Sequence, residues 1–463
     1  MWSLIWQRRS IPGTDRATEP SRHALGQDVL NFSYPAGSPP STHSLDQVLG
    51  SFLPPVEEAR RLAELYFEVR LAWLWMMAEL TVQVIGCFCS IVLAHNWEPN
   101  FLDKVYPNLE GQSPTARPQE AAVVFFVLAI GARVDTESAN NESTANSLAT
   151  AARLCLSLDT AHTLQLVRCL MLYGYYIMNG QQDTSLGDVY WPLLRMAMGI
   201  VEALGLHRED GSWEMDPDEK IERRIIFWEC HGLDVMQSVN LGRGQCIASY
   251  AIDCPRIDVD GTGFHLGCFN LTTILSRINT VQIRVNPSPY TEVLDIDREL
   301  NDLEKSLPPH LAPQIAPSPF ELADPAKRHL ALKRNLLSMY INEARVSLHR
   351  SWFVKAIRDK SDEPLETDFR PSYLACLEAS RNIVALVRNV IASHGRSVRV
   401  RWHYFFHLFS ACVCLAAAVI HAPRSSLAAA ALIELNTGVE LFRFNQREEL
   451  VRWPRGAVHP VGR

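Results

Sequence analysis

The sequence has 11 cysteines but no C-x-x-C pair anywhere. Thiolate metal sites need cysteines clustered at short, fixed spacing. Only Cys87-x-Cys89 and Cys412-x-Cys414 come close, both in apolar runs without histidine at ligand spacing, so no metal site is predicted. The odd, scattered set, including Cys155, Cys169, Cys230 and Cys376, reads as reduced, buried thiols of an intracellular protein. No apolar core followed by a small-residue cleavage site opens the sequence, so no secretory signal is expected. An excess of positive charge is lacking too: 44 Lys and Arg stand against 51 Asp and Glu, a net charge of −7. That balance is not the basic footprint of a domain that binds nucleic acid by itself. Arg8, Arg9, Arg16 and Arg22, diluted by Asp15 and Glu19, read as a solvated tail.

Clean membrane spans are also missing. Tyr404 to Ile420 is apolar but short of the roughly 20 residues a span requires, and it holds His407 and Ser410. It runs on into an amphipathic pattern at Leu432, Leu435, Val439 and Phe442, which predicts a buried core helix. Leu71 to Ala94 is long enough, but it contains Glu79, Thr81, Gln83, Gly86 and Ser90. A central Glu costs about 2.5–3.5 kcal/mol to insert. Membrane insertion is therefore not expected. Catalytic constellations are equally scarce. Asp295-Ile-Asp297 and Asp258-Val-Asp260 are too sparse for a magnesium cluster, and Asp362 to Glu366 lies in a Pro-broken polar loop. Gly261 to Gly267 has neither the spacing nor the preceding strand of a dinucleotide loop. The expectation is a protein that is not an enzyme and has no catalytic, cofactor or metal residues. The alternatives are an all-α enzyme without a recognisable site, or a membrane-anchored helical adaptor using Leu71 to Ala94.

What the sequence does have is helical period. Val56, Ala59, Leu62, Ala63 and Tyr66 share a face after Pro54-Pro55. Leu164, Val167, Met171 and Tyr175 line another face, with Asn179-Gly180 as the stop. Pro192 is expected in a first turn, followed by Leu193, Ala197, Ile200, Val201 and Leu204, with Gly205 closing that helix. Asp216, Pro217 and Glu219 have the spacing of a capping box, leading a stripe through Ile221, Ile225, Trp228, Leu233 and Met236. Strand-like alternation is rare outside Gln245 to Val259. The predicted fold is all-α, a multi-helical domain of antiparallel helix pairs behind a disordered N-terminal segment.

Residues 1–52, rich in Pro, Ser, Gly and Thr, are expected to be disordered. Residues 53–115 form an N-terminal helical region, 116–445 the main helical domain and 446–463 a tail. Asp135 to Thr150 reads as an exposed loop, and the six prolines from Pro308 to Pro325 as the break before the C-terminal helices.

An ordered set of short motifs then resembles one family, the regulatory middle homology region of fungal zinc-cluster transcription factors. The set comprises Gly174-Tyr175-Tyr176, then Gly205-Leu206-His207-Arg208, then Glu222-Arg223-Arg224 through Phe227-Trp228. Leu233-Asp234, Gly242-Arg243-Gly244 (a proline is usual at the last position) and Asp253-Cys254-Pro255 follow. Leu294-Asp295 to Pro309 and Trp402 to Leu441 extend the likeness, which runs with gaps from about Pro118 to Phe444. The resemblance implies a nuclear regulator of RNA polymerase II transcription. It also implies DNA contact through an N-terminal binuclear zinc cluster, with zinc expected only in a form that has that cluster. Here no cysteine precedes Cys87, so the cluster is read as missing from this chain. Coregulators, a small-molecule effector and a homodimer are the other partners implied. The family runs almost directly from an A-W-L-like segment to F-L-x-x-V-Y-P, as in Ala72-Trp73-Leu74 and Phe101 to Pro107 here. Trp75 to Trp97 therefore reads as an atypical apolar insert, of biological or gene-model origin. Among the motif residues, His207 and Arg208 are expected to cap a helix C-terminus. Trp228 and the Tyr173, Tyr175, Tyr176 group are expected in the core, and Arg243 is expected to pair with Asp234 or with helix-end carbonyls.

Overall fold

The computed structural model describes residues 44–73, 106, 107, 109, 117–135, 138, 140–178, 186–209, 215–314, 324–394 and 402–449. Among these residues every regular element is helical. The expected insert 75–97, Asn179-Gly180 and the residues before 44 lie outside the described residues. The chain divides into two compact units, the first ending at Pro287 and the second beginning at Ser288.

The first unit contains α1 (Leu45–Phe52), α2 (Val56–Trp73), α3 (Pro118–Val134), α4 (Asn141–Leu158), α5 (Leu164–Met178), α6 (Leu186–Ala203), α7 (Pro217–Leu241) and α8 (Phe264–Ile283). Most neighbours in sequence pack as pairs: α3 on α4, α5 on α6, and α7 on α8. The short connections between α3 and α4 and between α5 and α6 impose an antiparallel arrangement on those two pairs. The helix α3 is enclosed on all sides, every residue from Ala121 to Ile130 being buried. Its approach to α2 is close enough that a Cβ at Gly131 would land on the Leu62 carbonyl. Nine cysteines are described, all as free thiols, and eight of them are buried; the exception is Cys246.

Three expectations are corrected in this unit. Residues 45–52 are helical rather than disordered, because Ser44 and Gln47 form a reciprocal capping box and Val48 and Leu49 are buried. Much of the expected loop Asp135 to Thr150 is the start of α4, whose Ala145, Leu148, Ala149 and Ala152 make a buried face of small residues. Asp135 itself is buried and accepts Arg61 Nη1 at 2.7 Å. Pro192 lies inside α6 instead of its first turn. The upstream turn is held by Tyr190, whose ring fills the notch at Gly174; a Cβ there would meet it at 2.7 Å. Gln245 to Val259 forms no strand, only a 3-10 turn at Ser249–Ala251.

The second unit contains α9 (Tyr290–Ser306), α10 (Pro325–Asp359), α11 (Arg370–His394), α12 (Trp402–His421) and α13 (Ala428–Glu449). The proline-rich stretch falls within this unit, between α9 and α10, and α9 packs on α10. Arg345 of α10 bridges Asp297 and Glu304 of α9 at 3.5 and 3.0 Å. The break between units therefore precedes α9, where the proline count pointed further on. One helix among the described residues, Tyr404–His421 within α12, is long and apolar enough to cross a membrane, and half of it is buried. It packs on α11 and α13 as a core helix would, and Gly438 of α13 sits against Cys412.

Candidate functional site

Twelve signature residues, Gly205, Leu206, His207, Arg208, Glu222, Arg223, Arg224, Trp228, Asp234, Gly242, Arg243 and Pro255, fall within one region of the first unit, centred on α7. This helix starts as expected, with Asp216 as N-cap and Pro217 at the first position, but the cap bond goes to the Asp218 amide (2.8 Å). From Ile225 to Val239 every residue of α7 is buried, including Glu229, His231, Asp234, Gln237 and Ser238. Burial pushes the His231 imidazole down to about 3, so it packs neutral, stacked on Phe227 at 5.4 Å.

Gly205 has φ 66° and ends the helical run of α6 in a left-handed turn, which buries Leu206. The His207 carbonyl accepts the amides of Asp253 and Cys254, both at 3.2 Å. Arg208 pairs with Asp253 at 3.1 Å on the surface. These two residues fasten the loop before α8 to the end of α6, a bracing role broader than the expected cap. The three charges of Glu222-Arg223-Arg224 each take a different neighbour. Glu222 pairs with the buried Arg168 of α5. Arg223 donates to the Leu204 carbonyl at 2.8 Å, a helix-end acceptor. Arg224 pairs with Glu209 and holds that carboxyl below its usual range, against the opposing effect of burial.

Trp228 is core, as expected. It is 3% exposed, stacks on Phe269 at 5.7 Å and donates Nε1–H to the Pro255 carbonyl at 3.0 Å. Arg256 lies 5.1 Å above the same ring. Tyr173, Tyr175 and Tyr176 are likewise buried, Tyr173 stacked on Phe126 at 5.3 Å.

Arg243 corrects the sequence expectation. The carboxylate of Asp234 belongs to Arg195 of α6, at 3.1 Å, and to the Cys246 amide, at 2.6 Å. Burial lifts the Asp234 carboxyl, while Arg195 and Cys246 oppose that shift. Gly242, at φ 63°, caps α7 in the left-handed region. The Arg243 amide bonds the Ser238 carbonyl at 2.9 Å, and its carbonyl accepts Asn279 Nδ2 at 2.8 Å. Its side chain is exposed, 5.1 Å over the Trp191 ring, which Arg195 also covers at 3.9 Å. Arg195 donates as well to the Gly244 carbonyl, so a residue outside every motif is the link between α6, α7 and the loop.

These groups form a brace. The cleft beside them, lined by Leu206, Arg208, Glu209, Arg223, Arg224 and Cys254, encloses about 20 Å³, room for about one water. A second polar group, unseen in the sequence, lies in the other unit. There His349 Nδ1 is 2.8 Å from Ser372 Oγ, and Nε2 is 3.3 Å from Asp297 Oδ1. Ser372 and His349 are both fully buried, and Tyr290 Oη sits 2.9 Å from the same hydroxyl. Serine, histidine and aspartate thus line up as in a hydrolase, but the hydroxyl is enclosed and engaged, so the trio ties α9, α10 and α11 together.

The class these features define is an all-helical domain held by a polar brace. The family model of the fungal specific transcription factor domain matches residues 84–278, a stretch that takes in α3 to most of α8. The match opens at Val84, inside the stretch read as an insert. An uncharacterized transcriptional regulatory protein of Schizosaccharomyces pombe is 22% identical over 456 residues, covering 89% of this chain and 54% of that protein. The sorbicillinoid biosynthetic cluster transcription factor 2 of Penicillium rubens is 23% identical over 52% of this chain and 38% of its own length. An ABC-transporter-regulating transcription factor of Aspergillus oryzae is 23% identical over 51% of this chain and 29% of its own. The chain thus spans about half the length, or less, of these curated relatives.

Proposed function

We propose that this chain is the helical regulatory part of a fungal zinc-cluster-type regulator of RNA polymerase II transcription, acting in the nucleus and without catalysis of its own. The observation that carries this reading is the family match over 84–278, laid on a brace in which all twelve signature residues have structural contacts or structural positions. The relatives, named as transcriptional regulators, support it. In this reading DNA contact comes from a binuclear zinc cluster carried by a longer form, and the helical units receive a coregulator, a small effector or a second copy. The one apolar helix of spanning length among the described residues, in α12, packs as a core helix of the second unit and lends no support to a membrane role.

The test is a fusion of this chain to a heterologous DNA-binding domain in a fungal reporter strain. Reporter output that differs from the DNA-binding domain alone, and that a brace variant such as Asp234→Ala removes, is the expected result. Output identical to the DNA-binding domain alone, from a fusion shown to be folded and nuclear, would overturn the reading.

A further inference from the structure

The turn that leads into α8 gathers three metal-ligating side chains. Asp258, Asp260 and His265 each offer one ligand atom, and these atoms lie within 4.8 Å of one another. Asp258 receives the Gly263 amide on both oxygens, at 3.1 and 3.0 Å. Asp260 Oδ1 receives the Thr262 amide at 3.0 Å and its hydroxyl at 2.6 Å. Those bonds shape the turn and do not by themselves indicate a ligand. The observation that does is His265. Its side chain is 5% exposed, and neither ring nitrogen has a hydrogen-bond partner. Nδ1 stands nearest Asp260 Oδ1, at 3.4 Å, beyond hydrogen-bond quality but close to the spacing of two ligands on one ion. Leaving a buried imidazole unbonded is unfavourable, and a cation between the imidazole and the carboxylates removes that penalty.

We propose that Asp258, Asp260 and His265 form a binding site for a divalent transition-metal ion of the zinc type. An imidazole beside two carboxylates suits zinc or its first-row neighbours, whereas calcium and magnesium take oxygen ligands. Around zinc with bonds of about 2.1 Å, tetrahedral ligands stand about 3.4 Å apart, so only small side-chain shifts are needed. Two carboxylates outweigh the roughly half positive charge at the start of α8. Both aspartates are exposed, so the fourth position faces solvent and takes water. The ion would clip the loop carrying Pro255, which accepts from Trp228, onto the first turn of α8. In the sequence Asp258 and Asp260 are a carboxylate pair alone, too sparse for a metal site; the third donor arrives only when the chain turns at Gly261 and Gly263, both with positive φ.

The test uses the full chain, stripped with chelator and titrated with zinc chloride by calorimetry, then with cobalt as a spectroscopic probe. Asp258→Asn and Asp260→Asn keep an oxygen for the turn's amide bonds while removing charge, so the turn survives. Outer-shell substitutions around metals weaken binding about 10–100-fold, so losing a ligand charge should cost at least about tenfold. The expected result is one saturable zinc site weakened by that much in each variant, with melting raised by zinc in the native chain alone. Cobalt should give visible bands without thiolate charge transfer. Equal zinc binding by native chain and both variants, no saturable binding by the native chain, or a cobalt spectrum of thiolate type would each overturn the proposal.

Discussion

Asp234 and the two arginines near it separate a structural charge from a surface one. Asp234 is fully buried with Arg195 as its cation, so truncating it strands a largely desolvated guanidinium. Asp234→Ala is expected to destabilise the first unit by about 3–5 kcal/mol, the usual penalty for breaking a buried pair. Arg243→Ala removes only an exposed contact with Trp191 and should cost about 0.5–1 kcal/mol. Urea unfolding of the two variants, followed by fluorescence, checks both; equal losses would mean that Arg243 carries the pair after all. In the sequence Arg243 is the candidate because it follows Asp234 in the loop that ends the same helix, and an Arg beside an Asp in a helical core is usually structural. Nothing local points to Arg195, which reaches Asp234 only because α6 packs on α7. The same limit hid His349, Ser372 and Asp297, which come from three helices and share no local motif.

Several helix boundaries were legible from a cap or a stop, although the capping box of Ser44 and Gln47 lay in a stretch that reads as disordered. Gly205, Asp216 and Pro217 stand at the expected ends, because capping is local chemistry. The interior of α4 was not legible. Its Asn, Ser and Thr content reads as loop, and the alanines at 145, 149 and 152 become a buried face only once other helices, chiefly α3, pack on α4. Tertiary packing overrode composition there. Two substitutions test the element-scale account. Gly242→Ala places a side chain at φ 63° and should lower stability by about 1–2 kcal/mol, although nothing lies within 4 Å of the added carbon. Gly131→Ala forces α2 and α3 apart at Leu62 and should cost about 1–3 kcal/mol, with a lower melting temperature at unchanged far-ultraviolet helicity. A melt unchanged in Gly131→Ala would mean that the two helices can shift freely.

The acid limit of the second unit is set at Asp297. Burial alone would raise its carboxyl, but the bond and charge of His349, then Arg345 and Asn301, outweigh burial and hold it below its ordinary 3.8. The stability this adds is complete above that value and is lost as pH falls through the lower folded pKa, because the unfolded chain takes up the proton first. Urea midpoints measured between pH 5 and pH 3 (about the range around an unperturbed Asp) should fall steeply in the native chain. Asp297→Asn should start lower and fall less; parallel curves would exclude Asp297 as the cause. For the chain as a whole, the net charge of −7 predicts no sequence-selective binding of duplex DNA at physiological salt. A gel shift with selective, nanomolar binding by the purified chain would refute that expectation.

Complete enclosure of α7 from Ile225 to Val239 has a kinetic corollary. Its amides can meet solvent only when α5, α6 or α8 comes away, so native-state hydrogen exchange there should report the opening of the entire N-terminal unit rather than local fraying. A ligand or coregulator that slows exchange along α7 is then stabilising that unit as one body, wherever on its surface it docks. Protection confined to the contacted residues would instead mark a merely local footprint. Deuterium uptake along this one buried rod can thus distinguish regulation by global tightening from regulation by surface contact, before any partner is known by name.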